Sequence, residues 1–590
     1  MVLKLAGNKS IHLAKYPIFN VSRKAIAIFL LILIGNHSFA QKEIVKSWHL
    51  MDAAQDGYHG ISLQKAMDLL KDKTPKPVIV AVLDGGVDTS HPALKKALWV
   101  NRNELPGNGK DDDRNGYVDD LHGWNFLGNP NGKNVNHDSQ ESIRLYHLWK
   151  AKFGDKKFDV STADEQTALD YTNWLAAKKE LDAKEKEASN VQVFQIILKN
   201  TKAFDSVNRA GMNVPEYTPD ELIKYIPTTP NGKKAKLSFL HMVDIMEIDH
   251  DETDRQIFND FESSIAKETE LINGKKDTAI NYRALITGDD ENNFDTKHYG
   301  NADVMGETSL HGTHVSGIIA AKLIDSGACG VAQCAKILAV RCVPDGDEHD
   351  KDIALGIFYA VDNGAKIINM SFGKGTSPHK AWVDSAFKYA AAHDVLIVHA
   401  AGNDSKDVDG DEEFPSPQLL DKSTAPNTIT VGASGDSSLN CGMIADFTNY
   451  GSEAVDVLAP GVKIYSTLPN NLYGFEQGTS MAAPVVSGLA ALIRGYFPRL
   501  TAIQTKEIIE ESVDKSMAEQ KFKKPGAEKK EKIKMKDVCK TGGIVNAYNA
   551  VLLAEKINAS LPPLPAPAII MKSQVQVHAT TIGSKARPTK

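Results

Sequence analysis

The chain has 590 residues, 42% hydrophobic and 24% charged, a balance of ordinary globular protein that excludes a disordered or fibrous chain. A formal net charge of −7 leaves no global basic field for nucleic acid or an anionic membrane surface. At about 150 residues per domain the length accommodates roughly two to four units. In chain order, Arg23 and Lys24 first precede the apolar run AIAIFLLILIG, and small Ser38 and Ala40 follow at the spacing of a leader cleavage site. The run is about ten residues, short for a helix crossing about 30 Å of hydrocarbon. Residues 1–40 therefore read as a secretory signal peptide that exports the chain to the periplasm or the extracellular medium, with an uncleaved anchor as the rival reading. No later segment is long enough to span a bilayer, so no stable membrane span is expected after signal removal.

From Pro77 the sequence PVIVAVLDGGVD is an apolar run ending in an acid and two glycines, the pattern of a buried parallel strand. Soon after it, GNGKDDDRNGYVDD sets Asp111, Asp113, Asn115, Gly116 and Asp119 at DxDxNGxxD spacing. Clustered oxygens around a glycine turn suit a hard cation, although His122 stands where an EF-hand loop would end in Glu; a solvated acidic turn is the alternative. Between about 135 and 300 the sequence turns charged and helical, as in ALDYTNWLAAKKELDAKEKEASNVQVFQIILKN, and its charge run reads as a solvated helix face. Strand patterns resume at AKILAVRCV, AKIINMSFG, DVLIVHAAGN and TITVGAS, with helical segments KDIALGIFYAVDNG and AWVDSAFKYAAAHD between them. This alternation predicts an α/β fold with helices on both faces of a mostly parallel sheet. Ligands in such sheets sit outside the carboxyl ends of strands, where Asp84, Ser371 and Asn403 fall. The lysine-rich stretch Ala518 to Lys536 reads as a mobile surface loop, and the Pro-rich end as an extended tail. Cysteines 329, 334, 342, 441 and 539 form an odd set for an oxidising compartment. Four could pair, in a connectivity the sequence does not fix, and the C-x4-C of Cys329 and Cys334 lacks a second ligand pair for zinc.

Four polar groups suggest chemistry. Ser480 lies in GTSMAAP between small residues and at the start of an apolar helix, where backbone can approach a ligand and an attacking oxygen is favoured. His311 in LHGTHVSGIIAA can act as a general base near neutrality. Asp84, at a buried strand end, can hold the imidazole tautomer and stabilise imidazolium. Asn403 in HAAGN can donate an amide hydrogen to an oxyanion. Taken singly, each also fits a cap, a turn or an exposed polar residue.

Together, VLDGGVD, HGTHVSG, AAGN, NMSFG and GTSMAAP resemble the subtilisin-like serine proteases, or subtilases, in the order Asp, His, Ser. The resemblance covers about 77–134 and 300–515, with GGIVNAYNAV similar to the closing segment. It implies a three-layer subtilisin-like fold interrupted by a helical insertion, divided into signal peptide 1–40, catalytic part 41–134, insertion 135–300, catalytic part 301–558 and flexible tail 559–590. It also implies a secreted endopeptidase with Ser480 as nucleophile, His311 as base, Asp84 as orienter and Asn403 as oxyanion donor, His314 supporting. Ser371, Phe372 and Gly373 would pair with an extended protein or peptide substrate, Gly402 would border the pocket before the cut bond, and that pocket would favour large apolar or varied side chains. Catalysis would need no cofactor, while structural calcium at Asp111, Asp113, Asn115 and Asp119 is in keeping with the family. The long gap between Asp84 and His311 departs from a compact member, and the stretch between Ala40 and Asp84 is too short for the usual prodomain. Two other functions keep the fold: a silent peptide-binding or adhesion protein, and a ligase or cyclase passing the same acyl-enzyme to an amine. The sequence says nothing of oligomeric state.

Overall fold

The computed structural model describes residues 45–562 apart from 155–157, 247, 249, 251, 278–279, 324–326, 411–413, 440 and 528–530. The expected signal peptide and the tail from residue 563 lie outside the described residues. The body begins with α1 (Leu63–Leu70), β1 (Val78–Asp84) and the short β2 (Gly123–Asn125). A helical segment follows, with α2 (Glu141–Phe153), α3 (Glu165–Lys186), α4 (Ala188–Met212), α5 (Pro230–Met246) and α6 (Asp254–Asn273). The chain then returns through α7 (Leu310–Ala320), β3 (Ala335–Arg341), α8 (Asp350–Asp362), β4 (Ile367–Met370), α9 (Lys380–Ala392), β5 (Leu396–Ala400), β6 (Thr428–Ser434) and β7 (Val457–Pro460). A hairpin of β8 (Ile464–Leu468) and β9 (Leu472–Glu476) leads into α10 (Thr479–Tyr496), then α11 (Ala502–Glu511), a second hairpin of β10 (Lys521–Lys523) and β11 (Lys532–Lys534), and α12 (Ala547–Ser560).

Seven strands form one sheet in the order β2-β3-β1-β4-β5-β6-β7, every neighbouring pair parallel. The continuous apolar runs foreseen for β1 and β3 to β6 follow from burial on both faces. Along β1, Val80 and Val82 join the core beneath α7 and α10, whereas Ala81 and Leu83 join the one beneath α8 and α9. The architecture is thus α/β in three layers. Each fully buried Val or Leu contributes about 1.5–3 kcal/mol, so the two cores fix which way every strand faces. Asp84, the loop after β4 and the loop after β5 consequently emerge at one sheet edge.

The helical segment has a hydrophobic cluster of its own, built on Phe194 of α4, Phe239 and Met242 of α5, and Phe258 and Phe261 of α6. Its junction with the body is ionic. Lys374 Nζ lies 2.5 Å from Glu141 and 2.8 Å from Asp350, and Arg144 of α2 donates to the carbonyls of Asp347 and Glu348. His349 bridges Asp138 and Glu291 at 2.9 and 2.8 Å. These groups are largely buried, so each charge depends on its partner.

One feature differs from the sequence expectation. The stretch Ala518 to Lys536 contains the β10–β11 hairpin, with Phe522 opposite Ile533 and lysines on either side of each. Phe522 and Ile533 pack on the cluster of Tyr450, Met535 and Val538, and that anchor gives the segment regular structure despite its lysines. All five cysteines are free thiols. Among the described residues no helix is long and apolar enough to cross a membrane.

Because the clusters are separate, Phe239→Ala should destabilise the helical segment by about 3–5 kcal/mol. Amide hydrogen exchange should quicken in α4 to α6 and stay unchanged in β1, β4 and β5; acceleration in those strands would refute separate cores.

Candidate active site

Asp84 closes β1 almost fully buried, and both its oxygens lie 2.9 Å from His311 Nδ1. Its Oδ1 also accepts the Gly85 amide at 2.7 Å. The imidazole comes from the first turn of α7, which sits so close to the loop after β1 that a Cβ on Gly312 would stand 2.2 Å from the Gly86 carbonyl oxygen. A glycine after the histidine is therefore required by close approach. Thr313 Oγ1 fixes the same turn by accepting the Asp88 amide at 2.8 Å. Desolvation would depress His311, but the charge and hydrogen bond of Asp84 outweigh it and hold the ring above its ordinary value. His314, one turn on, is fully buried beside the Gly474 carbonyl, and burial pushes it down to about 3. It stays neutral at physiological pH.

Ser480 is the second residue of α10, after Gly478. Its Oγ donates to the Ser371 carbonyl at 2.9 Å, and the Ser371 hydroxyl donates back to the Ser480 carbonyl at 2.9 Å. Among the described residues no hydrogen bond joins Ser480 to His311, so the Asp84–His311 pair is made and the serine is turned to its neighbour. Asn369 of β4 sets this geometry from below, donating to Ser371 Oγ and accepting from Ser487 Oγ of α10.

Asn403 follows β5 at the same edge. Its Oδ1 accepts from the Thr479 amide at 2.9 Å and the Thr479 hydroxyl at 3.0 Å, while Thr479 Oγ1 accepts from the Gly402 amide at 3.2 Å. A backbone donor on Oδ1 fixes which end of the amide is the oxygen and which is the Nδ2 donor. Thr479 is thus a positioning residue the sequence reading passed over, since GTSMAAP draws attention to its serine. Gly402 has φ of +97°, a conformation costly for any side chain. Phe372 gives its carbonyl to His399 Nε2 at 3.0 Å, and a Cβ on Gly373 would stand 3.0 Å from the Phe414 carbonyl oxygen.

The acidic loop lies away from this edge, before β2. Asp111 and Asp113 converge with Glu104, with possible ligand atoms within 4.8 Å of one another. Asn115 donates to Asp113 and Asp120, and Asp119 accepts the amides of Asn108 and Gly109. Glu104 had no motif signal, because it precedes the DxDxNG run.

A profile described as the Subtilase family matches residues 76–529. The chain belongs to the subtilase family. Among curated subtilases, the Thermophilic serine proteinase of Bacillus sp. (strain AK1) is 39% identical over 207 residues, 35% of this chain and 47% of that protein. The Major intracellular serine protease of Bacillus subtilis (strain 168) is 37% identical over 206 residues, 35% of this chain and 61% of its own. Subtilisin DY of Bacillus licheniformis is 35% identical over 248 residues, 40% of this chain and 83% of its own. The alignments thus span about half to three fifths of the first two relatives' length.

If Asp84 is what raises His311, Asp84→Asn should drop the imidazole below the ordinary value of about 6.5, because burial, the largest influence, then outweighs the weaker charge of Glu476. NMR titration of the ring reads this directly; an unchanged titration would show that Asp84 does not govern it.

Proposed function

We propose that this subtilase is an exported serine endopeptidase that hydrolyses protein and peptide substrates through an acyl-enzyme on Ser480. The observation that carries the reading is the His311–Asp84 contact, which supplies an oriented base, with Ser480 at a helix N-terminus hydrogen-bonded to the loop after the neighbouring strand β4. Asp84 holds the proton on Nδ1 and so leaves Nε2 as the acceptor. A staggered rotation of the Ser480 side chain frees Oγ from the Ser371 carbonyl. Oγ then attacks the scissile carbonyl carbon while its proton passes to His311 Nε2. The carbonyl oxygen becomes an oxyanion that accepts from Asn403 Nδ2 and, in this reading, from the Ser480 amide at the start of α10. Collapse of the intermediate expels the amine, which takes the proton from His311; water then repeats the sequence and frees Ser480. Ser371, Phe372 and Gly373 line the path of an extended substrate, and Gly402 borders the pocket for the residue before the cut bond. Because the base works neutral, activity rises with pH through the raised titration of His311.

The Glu104, Asp111 and Asp113 cluster holds a structural calcium in this reading. Glu104 Oε2 is buried without a hydrogen-bond partner, while Oε1 already accepts the Asp112 and Asp113 amides. Carboxylates of this kind suit a hard, oxygen-preferring cation, which would cross-link the loop before β2. Asn115 and Asp119 support the loop around it.

Two experiments test these assignments. A fluorophosphonate probe should label the wild type and not Ser480→Ala, and Asn403→Leu should lower kcat by about 10²–10³ with little change in KM; labelling of the alanine variant would overturn the nucleophile. Chelation followed by dialysis should lower Tm, calcium should restore it, and Asp111→Asn with Asp113→Asn should remove the response. A wild-type Tm indifferent to chelator and calcium would dismiss the cation.

A further inference from the structure

Between the helical segment and the body lies a cavity of about 740 Å³. Gln140 and Ile143 from the start of α2 form one wall, Lys267 and Glu270 of α6 another, and Asp345 and Gly346 from the loop after β3 the third. That loop starts beside the catalytic pair, since the Val343 amide donates to the Asp84 carbonyl at 3.2 Å. Gly346 is three residues further, at most about 11 Å of extended chain. On the other side, Glu141, next to Gln140, is paired with Lys374, which directly follows Gly373. In the sheet β3 and β4 flank β1, so the loops after them straddle Asp84, and Lys374 spans the gap by donating to the Glu348 carbonyl at 2.9 Å. At about 3.3 Å per residue, a substrate strand along 371–373 matches that loop reach of about 11 Å in about three residues, and one or two more carry it past Gly373 to the level of Lys374.

The chemistry of the walls selects what would enter. Glu270, Asp277 and Asp345 bring three carboxylates, opposed by Lys267 and by His137, whose Nδ1 lies 3.8 Å from Asp345. Ile143 adds apolar surface against which an aliphatic stem can lie. We infer that this cavity is a specificity site that takes a cationic side chain of the substrate three to five residues from the scissile bond. The inference rests on the endopeptidase reading and adds to it a role for the helical segment: it supplies two of the walls, α2 and α6.

Paired peptides identical except for Lys or Gln at one of those positions, on either side of the cut, report the site as a ratio of kcat/KM. The wild type should favour Lys about fivefold at low salt at one or more positions, and less as ionic strength rises. Glu270→Gln with Asp277→Asn should bring the ratio near one. Lys267→Glu should raise it, an effect that misfolding would not produce. A ratio near one at every position in wild type, with a short ester lacking those residues still hydrolysed, overturns the site and leaves the protease reading standing. So does a ratio that neither variant moves. Failure to hydrolyse the ester as well overturns the protease reading, and this inference with it.

Discussion

The contact between Asp84 and His311 is the constraint around which the molecule is arranged. It joins residues 227 positions apart, one at the end of a central strand and the other in the first turn of a helix on the adjacent layer. The two segments meet closely only because Gly312 presents no side chain to the Gly86 carbonyl. Everything between them, including five long helices, must leave the sheet and return without disturbing that approach. The ionic junction at Lys374, Arg144 and His349 fixes the returning chain against the body a few residues from the cleft.

The serine and the amide are held less directly. Ser480 and Ser371 exchange hydrogen bonds, and Thr479 locks Asn403 through its amide and hydroxyl. The start of α10 therefore orients both the Ser480 hydroxyl and the Asn403 amide, since Thr479 and Ser480 are consecutive. A shift of that helix end would move both together. Asn369, hydrogen-bonded to Ser371 and Ser487, is the strut that keeps β4 and α10 in register.

Much of this was legible in the sequence. Strands such as VIVAVLD are buried on both faces, so their apolar runs are unbroken and end where the functional residues begin. β2 was not legible, because its three residues Gly123–Asn125 carry no run; it is recruited by β3, and a Cβ on Gly123 would stand 1.7 Å from the Ala339 carbonyl oxygen. The β10–β11 hairpin was hidden by lysines, its only apolar signals being Phe522 and Ile533. The motif residues could be named from their types and order, but Thr479, Glu104 and the Lys374 network could not. Their importance lies in partners contributed by distant segments, which no local spacing encodes.

The ionic junction carries a consequence for how such an architecture can change. Excising the helical segment would strip Glu141 from Lys374, leaving that buried ammonium to Asp350, and would take both carboxylates from His349, leaving the junction under-compensated in the interior a few residues from the sheet edge. A shortened descendant would have to replace those residues at the same time, with apolar side chains or new acids, to keep its cleft. The helices are in this sense a graft whose wound cannot close by itself, and loss of the appendage and redesign of the scar must occur as one step.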